Sequence, residues 1–298
     1  MKTQPDILRG RPGHRLIWVR RSAFACMTLF AAEQAFAIVG RHTQCGISLP
    51  DDPSVALRHL LVRSVALPSG GVALRVLDLQ TNLGFFLPDG SRHTSIFAEG
   101  PVALGLGEYA LVALPAESKG DELPGELPPP QISPSSSVKE QLEALQKAMS
   151  PYRQNARPIN SMSRITLMPQ PVMVGEPLPP SMGRLASGGH YAVTLERAGR
   201  SATVTLSQDD VTRGVIIGRS EKCHSELLRR ITDVNTSRTH VLILREANGL
   251  VIAYDLASTQ GTFTNNTPTR RHALEDVGTL LTLGRGDGAV RMFWHRTA

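Results

Sequence analysis

The sequence predicts an all-β fold: two β-sandwich domains joined by a Pro-rich linker with one short helix. Three observations predict it. A four-residue motif recurs late in the chain, with further matches downstream of each copy. Short apolar or alternating runs, bounded by Pro, Gly and Asp, fill both repeat regions. Between Pro115 and Pro180 lie 13 of the 21 prolines.

The repeat fixes the domain count. Ile38-Val39-Gly40-Arg41 returns as Ile216-Ile217-Gly218-Arg219, and each Arg has a cysteine four residues on, Cys45 and Cys223. Leu57-Arg58-His59 has its counterpart in Ser237-Arg238-Thr239-His240. Asp78-Leu79-Gln80-Thr81-Asn82-Leu83-Gly84 matches Asp255-Leu256-Ala257-Ser258-Thr259-Gln260-Gly261. Solenoid repeats run about 20–50 residues, so two copies this far apart indicate a duplicated domain. The expected boundaries are 14–114 and 190–298, with a linker at 115–189.

Both copies read as strands. Leu60 to Val62, Val72 to Leu77 and Phe85 to Leu87 are candidates in the first, Tyr191 to Leu195, Ala202 to Leu206 and Val241 to Leu244 in the second. Ala247-Asn248-Gly249 between two runs is a hairpin signal, because Asn-Gly tolerates positive φ. Many short strands at close spacing suggest a sandwich. In the linker, Ser137 and Glu140 fit a capping box, and Val138, Leu142, Leu145 and Met149 share one face, which predicts a helix over 137–150.

Composition narrows the function. Net charge is +6, divided as +3, zero and +3 over residues 1–114, 115–189 and 190–298, with no basic tail. That balance favours anionic partners in general, and the lack of aromatic platforms argues against nucleic acid. Three cysteines exclude a disulfide framework and a four-Cys zinc site. No run reaches the apolar length of a membrane span. Arg20-Arg21, the run from Ala23 to Ala32 and Ala35-Phe36-Ala37 have the outline of a secretory signal. The long charged lead and Glu33 argue against it, so a cytoplasmic protein is expected. Gly284-x-Gly286-x-Gly288 has no helix to follow it and reads as a hairpin turn. Walker, nucleophile-elbow and kinase signatures are missing, so no enzyme, cofactor or metal is expected.

The second copy holds the candidate chemistry. Gly218-Arg219 follows a strand, Ser237 to His240 forms a second loop, and Ser258 to Thr262 a third, with Gly261 placed for an unusual φ. A guanidinium, hydroxyls and loop N–H groups converging there would suit a phosphate dianion. The constellation resembles the forkhead-associated (FHA) domain, a phosphothreonine-reading β-sandwich whose pattern is Gly-Arg, Ser-x-x-His and Ser-x-Asn-Gly-Thr. The resemblance covers 190–298 well and 14–114 weakly.

That resemblance implies two FHA-type sandwiches and a set of roles. Arg219 and Ser237 would bind phosphate, Thr259 would support it, and Arg238 would contact the peptide main chain or the phosphate edge. Gln260 stands where the family usually has Asn, so its peptide contact differs in reach. Gly218, His240 and Gly261 would be structural. Lys222, Arg229 and Arg230 would flank the site. In the first copy Ala56 stands at the serine position and Leu83 at the Asn position, so that copy reads as degenerate. The expected function is non-catalytic phosphothreonine-peptide recognition, in a signalling adaptor downstream of a Ser/Thr kinase. Its partner would be the kinase, its substrate or another phosphothreonine protein. A phosphorylation-independent interaction scaffold is the alternative. Thr166 or Thr3 would be candidate marks within the chain itself.

Overall fold

The computed structural model describes residues 12–20, 23–31, 36–67, 70–116, 172–173, 190–223, 225–246 and 248–297. The expected helix over 137–150, and Thr3 and Thr166, lie outside the described residues. In chain order the strands of the first copy are β1 (Gly13–Arg20), β2 (Ala23–Phe30), β3 (Phe36–Gly40), β4 (Ile47–Ser48), β5 (Leu60–Ala66), β6 (Val72–Asp78), β7 (Phe85–Phe86), β8 (Arg92–His93), β9 (Ser95–Glu99), β10 (Val102–Leu106) and β11 (Tyr109–Ala116). β12 (Val172–Met173) follows. The second copy has β13 (Tyr191–Arg197), β14 (Arg200–Leu206), α1 (Gln208–Arg213), β15 (Val215–Ile217), α2 (Glu226–Arg229), β16 (Val241–Arg245), β17 (Val251–Asp255), β18 (Thr262–Thr264), β19 (Thr267–Thr269), β20 (Arg271–Leu274), β21 (Thr279–Leu283) and β22 (Val290–Arg296).

Sheet order repeats strand for strand. One sheet runs β2-β1-β11-β10-β7-β8, and its counterpart runs β14-β13-β22-β21-β18-β19. The other pair is β12-β9-β6-β5-β3-β4 and β15-β16-β17-β20. Without β4 and β12, the third sheet is the fourth in reverse order. The fold is therefore all-β and duplicated. The segment read for a secretory signal contains β2, paired antiparallel with β1 from Gly13↔Phe30 to Arg20↔Ala23. The Pro-rich region also supplies a strand that no sequence pattern marked: Val172 pairs with Glu99.

Compactness divides the chain differently from sequence order. One unit comprises residues 1–36, 62–76 and 84–176; the other comprises 37–61, 77–83 and 177–298. The second unit thus contains the first copy's residues 37–61 and 77–83. In the first unit, Ile17, Val19, Ala103, Ala110 and Val112 form an apolar cluster on β1, β10 and β11.

The second unit's core explains its strands. Val290, Met292 and Trp294 alternate inward along β22 with exposed Arg291 and His295 between and beside them, the two-residue period of a pleated strand. They meet Val193 and Leu195 from β13, and Val241, Ile243 and Ala253 from the facing sheet. Tyr191 stacks on Trp294 at 4.8 Å between ring centroids. Fully burying one such large apolar side chain contributes about 1.5–3 kcal/mol. α1 begins where Ser207 and Asp210 form a capping box and ends at Gly214. The Asn248-Gly249 hairpin between β16 and β17 forms as expected, with Gly249 at φ 86°. Among the described residues no helix is long and apolar enough to cross a membrane.

Candidate functional site

The site is built from the ends of β15 and β17 and the loop before β16. β15 delivers Gly218-Arg219 against the segment Ser237-Arg238. The Arg219 N–H donates to the Ser237 carbonyl at 3.2 Å, and the Ser220 N–H to the Arg238 carbonyl at 3.0 Å. Gly218 is needed for this approach: a Cβ there would lie 2.3 Å from the Arg238 oxygen. The Cys223 thiol donates to that same oxygen at 3.2 Å.

His240 ties the second loop to the third. Its Nδ1 accepts the Ser237 N–H at 3.1 Å, which leaves the proton on Nε2 to donate to the Gly261 carbonyl at 3.1 Å. The ring is fully buried. Burial lowers its pKa, opposed by the Asp255 carboxylate and the Gly261 carbonyl. A neutral imidazole, fixed at both nitrogens, thus links the two loops.

The third loop is held by a residue that sequence reasoning did not single out. Asp255 accepts the Ser258 N–H at 2.8 Å, the Ser258 hydroxyl at 2.5 Å and the Thr262 hydroxyl at 2.6 Å. Its signal was present as the first residue of the repeated Asp-Leu motif. Ala257 takes φ 54° and Gly261 φ 81° inside this staple, conformations that strongly curl the turn. Ser258 and Thr262 are buried, so their hydroxyls serve the turn rather than a ligand.

Ser237, Thr259 and Gly261 therefore come together. The Ser237 hydroxyl accepts the Thr259 N–H at 3.0 Å and keeps its own proton to donate. Arg219, Arg238, Thr259 and Gln260 are exposed. Among the described residues the guanidinium groups of Arg219 and Arg238 have no hydrogen bond or ion pair. Arg219, Arg229, Arg230, Thr232, Asp233 and Val234 line a cleft of about 350 Å³. Arg229 and Arg230 pair with Glu221 at 3.5 Å and Glu226 at 2.7 Å in solvent, where such pairs contribute little. Lys222 is directed elsewhere: its Nζ donates to the Thr81 carbonyl at 3.3 Å. Among the described residues no group of three or more His, Cys, Asp or Glu is placed to hold a metal ion.

The first copy repeats much of the scaffold, with its His59 Nε2 meeting the Thr81 hydroxyl. The Arg41 and His42 N–H groups donate to the Ala56 and Leu57 carbonyls, both at 3.0 Å. Nδ1 of His59 accepts the Ala56 N–H at 3.0 Å, and Asp78 accepts the Thr81 N–H at 2.9 Å and the Thr81 hydroxyl. Gln80 matches Ala257 in φ, at 60°. The ligand-facing groups differ. Arg41 donates its Nε to the Val55 carbonyl, so the guanidinium is turned onto its own loop. Ala56 offers no hydroxyl, and Ser54 donates to Asp52 at 2.6 Å. Leu57 and Leu83 are exposed where the second copy has Arg238 and Gln260.

Comparison with known proteins gives a match to one family. The model of the FHA domain matches residues 215–284. No curated protein matches the chain. Among solved structures, the FHA-1 domain of Rv1747 from Mycobacterium tuberculosis is similar at 19% identity and TM-score 0.28, over 37% of this chain and 100% of that one. The FHA domain of CT664 from Chlamydia trachomatis is similar at 16% identity and TM-score 0.28, over 34% of this chain and 96% of that one. The yeast Dun1 FHA domain, solved with a doubly phosphorylated peptide, is similar at 13% identity and TM-score 0.31, over 45% of this chain and 95% of that one.

Proposed function

We propose that this chain, which carries an FHA domain at residues 215–284, reads phosphothreonine in a partner protein through its second copy, residues 190–298. The observation that carries the reading is the exposed Arg219, whose N–H donates to the carbonyl of Ser237, the residue whose hydroxyl is locked to Thr259 at 3.0 Å. Phosphorylation adds about −1.5 to −2 of charge and three acceptor oxygens. Arg219 would bind those oxygens with a planar, charged fork, and Ser237 would donate its remaining proton. Thr259, Arg238 and Gln260 are exposed around them and would meet the peptide on either side. Gly218, His240 and Gly261 would hold the loops and touch no ligand.

The first copy, residues 14–114, would be a degenerate FHA-type domain without a phosphate site, joined by the segment 115–189. Arg41 engaged on Val55 and alanine at position 56 support this. The protein would act as a non-catalytic, cytoplasmic adaptor for a Ser/Thr kinase or its substrates. The scaffold reading, independent of phosphate, draws on exposed Leu57 and Leu83 in the first copy. A peptide array probed with the full chain separates the two. Phosphothreonine spots brighter than their phosphoserine and unmodified versions support a reader. Equal signals on all three would overturn it.

A further inference from the structure

We infer that Arg58, from the first copy, is a positioning residue for the phosphate-binding turn of the second, so that residues 37–61 and 77–83 are part of the reader. The inference rests on the phosphothreonine reading above. Arg58 lies only 8% exposed within the second compact unit. Its Nε donates to the Leu256 carbonyl at 2.6 Å and to the Ala257 carbonyl at 3.0 Å, and its Nη2 also donates to Ala257. These oxygens belong to the two residues immediately before Ser258. Among the described residues Arg58 forms no ion pair. Withdrawing a guanidinium from water is costly, and its hydrogen bonds to these two backbone carbonyls must offset that cost.

The held turn is the one that needs holding. Ala257 adopts φ 54°, which an L-residue with a Cβ enters only when its surroundings fix it. Asp255 staples the turn through Ser258 and Thr262; Arg58 fixes the two carbonyls between Asp255 and Ser258. The outcome is the aim of the Thr259 N–H, which reaches the Ser237 hydroxyl. Burial lowers the Arg58 pKa, and the Asp255 carboxylate is among the groups that oppose this. A second contact joins another pair of loops from the two copies: Lys222, three residues after Arg219, donates to the Thr81 carbonyl. The counterpart of Arg58 in the second copy is Thr239, too short for an equivalent reach. Each copy thus holds a turn of the other: Arg58 supports the turn of the copy that keeps a phosphate site, and Lys222 donates to the turn of the copy that lost one.

The test uses the full chain and a labelled, degenerate phosphothreonine peptide pool. Arg58→Ala, Arg58→Lys and Arg219→Ala are compared with the parent by fluorescence anisotropy, and the Thr259 amide is followed by hydrogen exchange. Arg58→Ala is expected to weaken binding roughly three- to tenfold, inside the span for residues that modulate a site without touching its ligand. The Thr259 amide should exchange faster while the β13–β22 ladder keeps its protection. Arg58→Lys keeps charge and stem but loses the fork; it should restore part of the affinity, and it is read alone if the alanine variant does not fold. Binding and Thr259 exchange within twofold of the parent in the Arg58 variants, with binding lost in Arg219→Ala, would overturn the positioning role. A parent chain that ignores phosphothreonine would overturn the reader instead, and Thr259 exchange would still report on Arg58.

Discussion

The hydroxyl of Ser237 accepts the backbone N–H of Thr259 at 3.0 Å, and that bond joins two loops separated by 22 residues. One oxygen thereby fixes the turn and presents a single proton outward. Ser237→Ala would remove both contributions and leave what the first copy has at Ala56. The expected loss in phosphothreonine affinity is about 1.5–3 kcal/mol, the worth of a hydrogen bond to a charged group. Calorimetry on the full chain reads it directly. An affinity equal to that of the parent would mean that Ser237 serves the loop alone.

Gly218→Ala should damage the same site through the backbone. The new Cβ would stand 2.3 Å from the Arg238 carbonyl oxygen, and the neighbour in the way is main chain. Gly40→Ala would meet the Leu57 carbonyl at 2.4 Å in the first copy. Each is expected to cost about 1–3 kcal/mol, as overpacking usually does, measurable by urea unfolding. Only Gly218→Ala should also weaken phosphopeptide binding by moving Ser237.

Acid should destabilise the protein through buried imidazoles. Burial pushes the pKa of His14 down to about 4 from 6.5, and its Nδ1 is hydrogen-bonded with the Ser64 hydroxyl at 2.9 Å. His240 is lowered for the same reason. Between about pH 6.5 and 4 the unfolded chain holds a proton that the folded chain refuses, so stability falls as pH falls and is complete above 6.5. His14 alone would withdraw on the order of 3 kcal/mol across that window. Urea midpoints at pH 7 and 4.5 should differ less in His14→Gln than in the parent. Identical pH dependence in both would contradict this assignment.

The three thiols should react unequally. Burial raises the pKa of Cys45 to about 11 and that of Cys223 to about 12, and each thiol donates to a carbonyl, Leu57 and Arg238 respectively. Cys26 is exposed on β2. The thiolate is the reactive form. Brief alkylation of the folded chain at pH 8 should therefore label Cys26 and spare the other two, as peptide mass mapping would show. Labelling of Cys223 under native conditions would mean that its loop opens readily.

Much of this architecture is legible in the sequence because it depends on local rules. The repeated Ile-Val/Ile-Gly-Arg motif marks a strand that must end in a close backbone approach, and both glycines make one. Asp255 and Asp78 staple their turns to Ser258 and Thr81, three residues away, so the first four residues of the seven-residue motif carry the shared part of the device. Half of the His240 pin is equally local, the Ser237 N–H three residues away; its other half reaches the Gly261 carbonyl 21 residues on. What could not be read depends on chain meeting chain across long separations. Arg58 looks like a loop arginine of a decayed motif, yet it reaches carbonyls about 200 residues away. Arg41 and Arg219 follow the same Gly, and only tertiary geometry distinguishes the one folded onto Val55 from the one left exposed. Val172 pairs with Glu99 as a two-residue strand, too short to produce any period.

The central claim is that the second copy reads phosphothreonine and the first does not. Isothermal titration of the full chain with a phosphothreonine peptide selected from the pool tests it most directly, beside Arg219→Ala and Arg41→Ala. The expected result is one peptide per chain, loss of binding by tenfold or more in Arg219→Ala, and an unchanged isotherm in Arg41→Ala. Binding that survives Arg219→Ala but fails with Arg41→Ala, or an isotherm indifferent to the phosphate, would contradict the account.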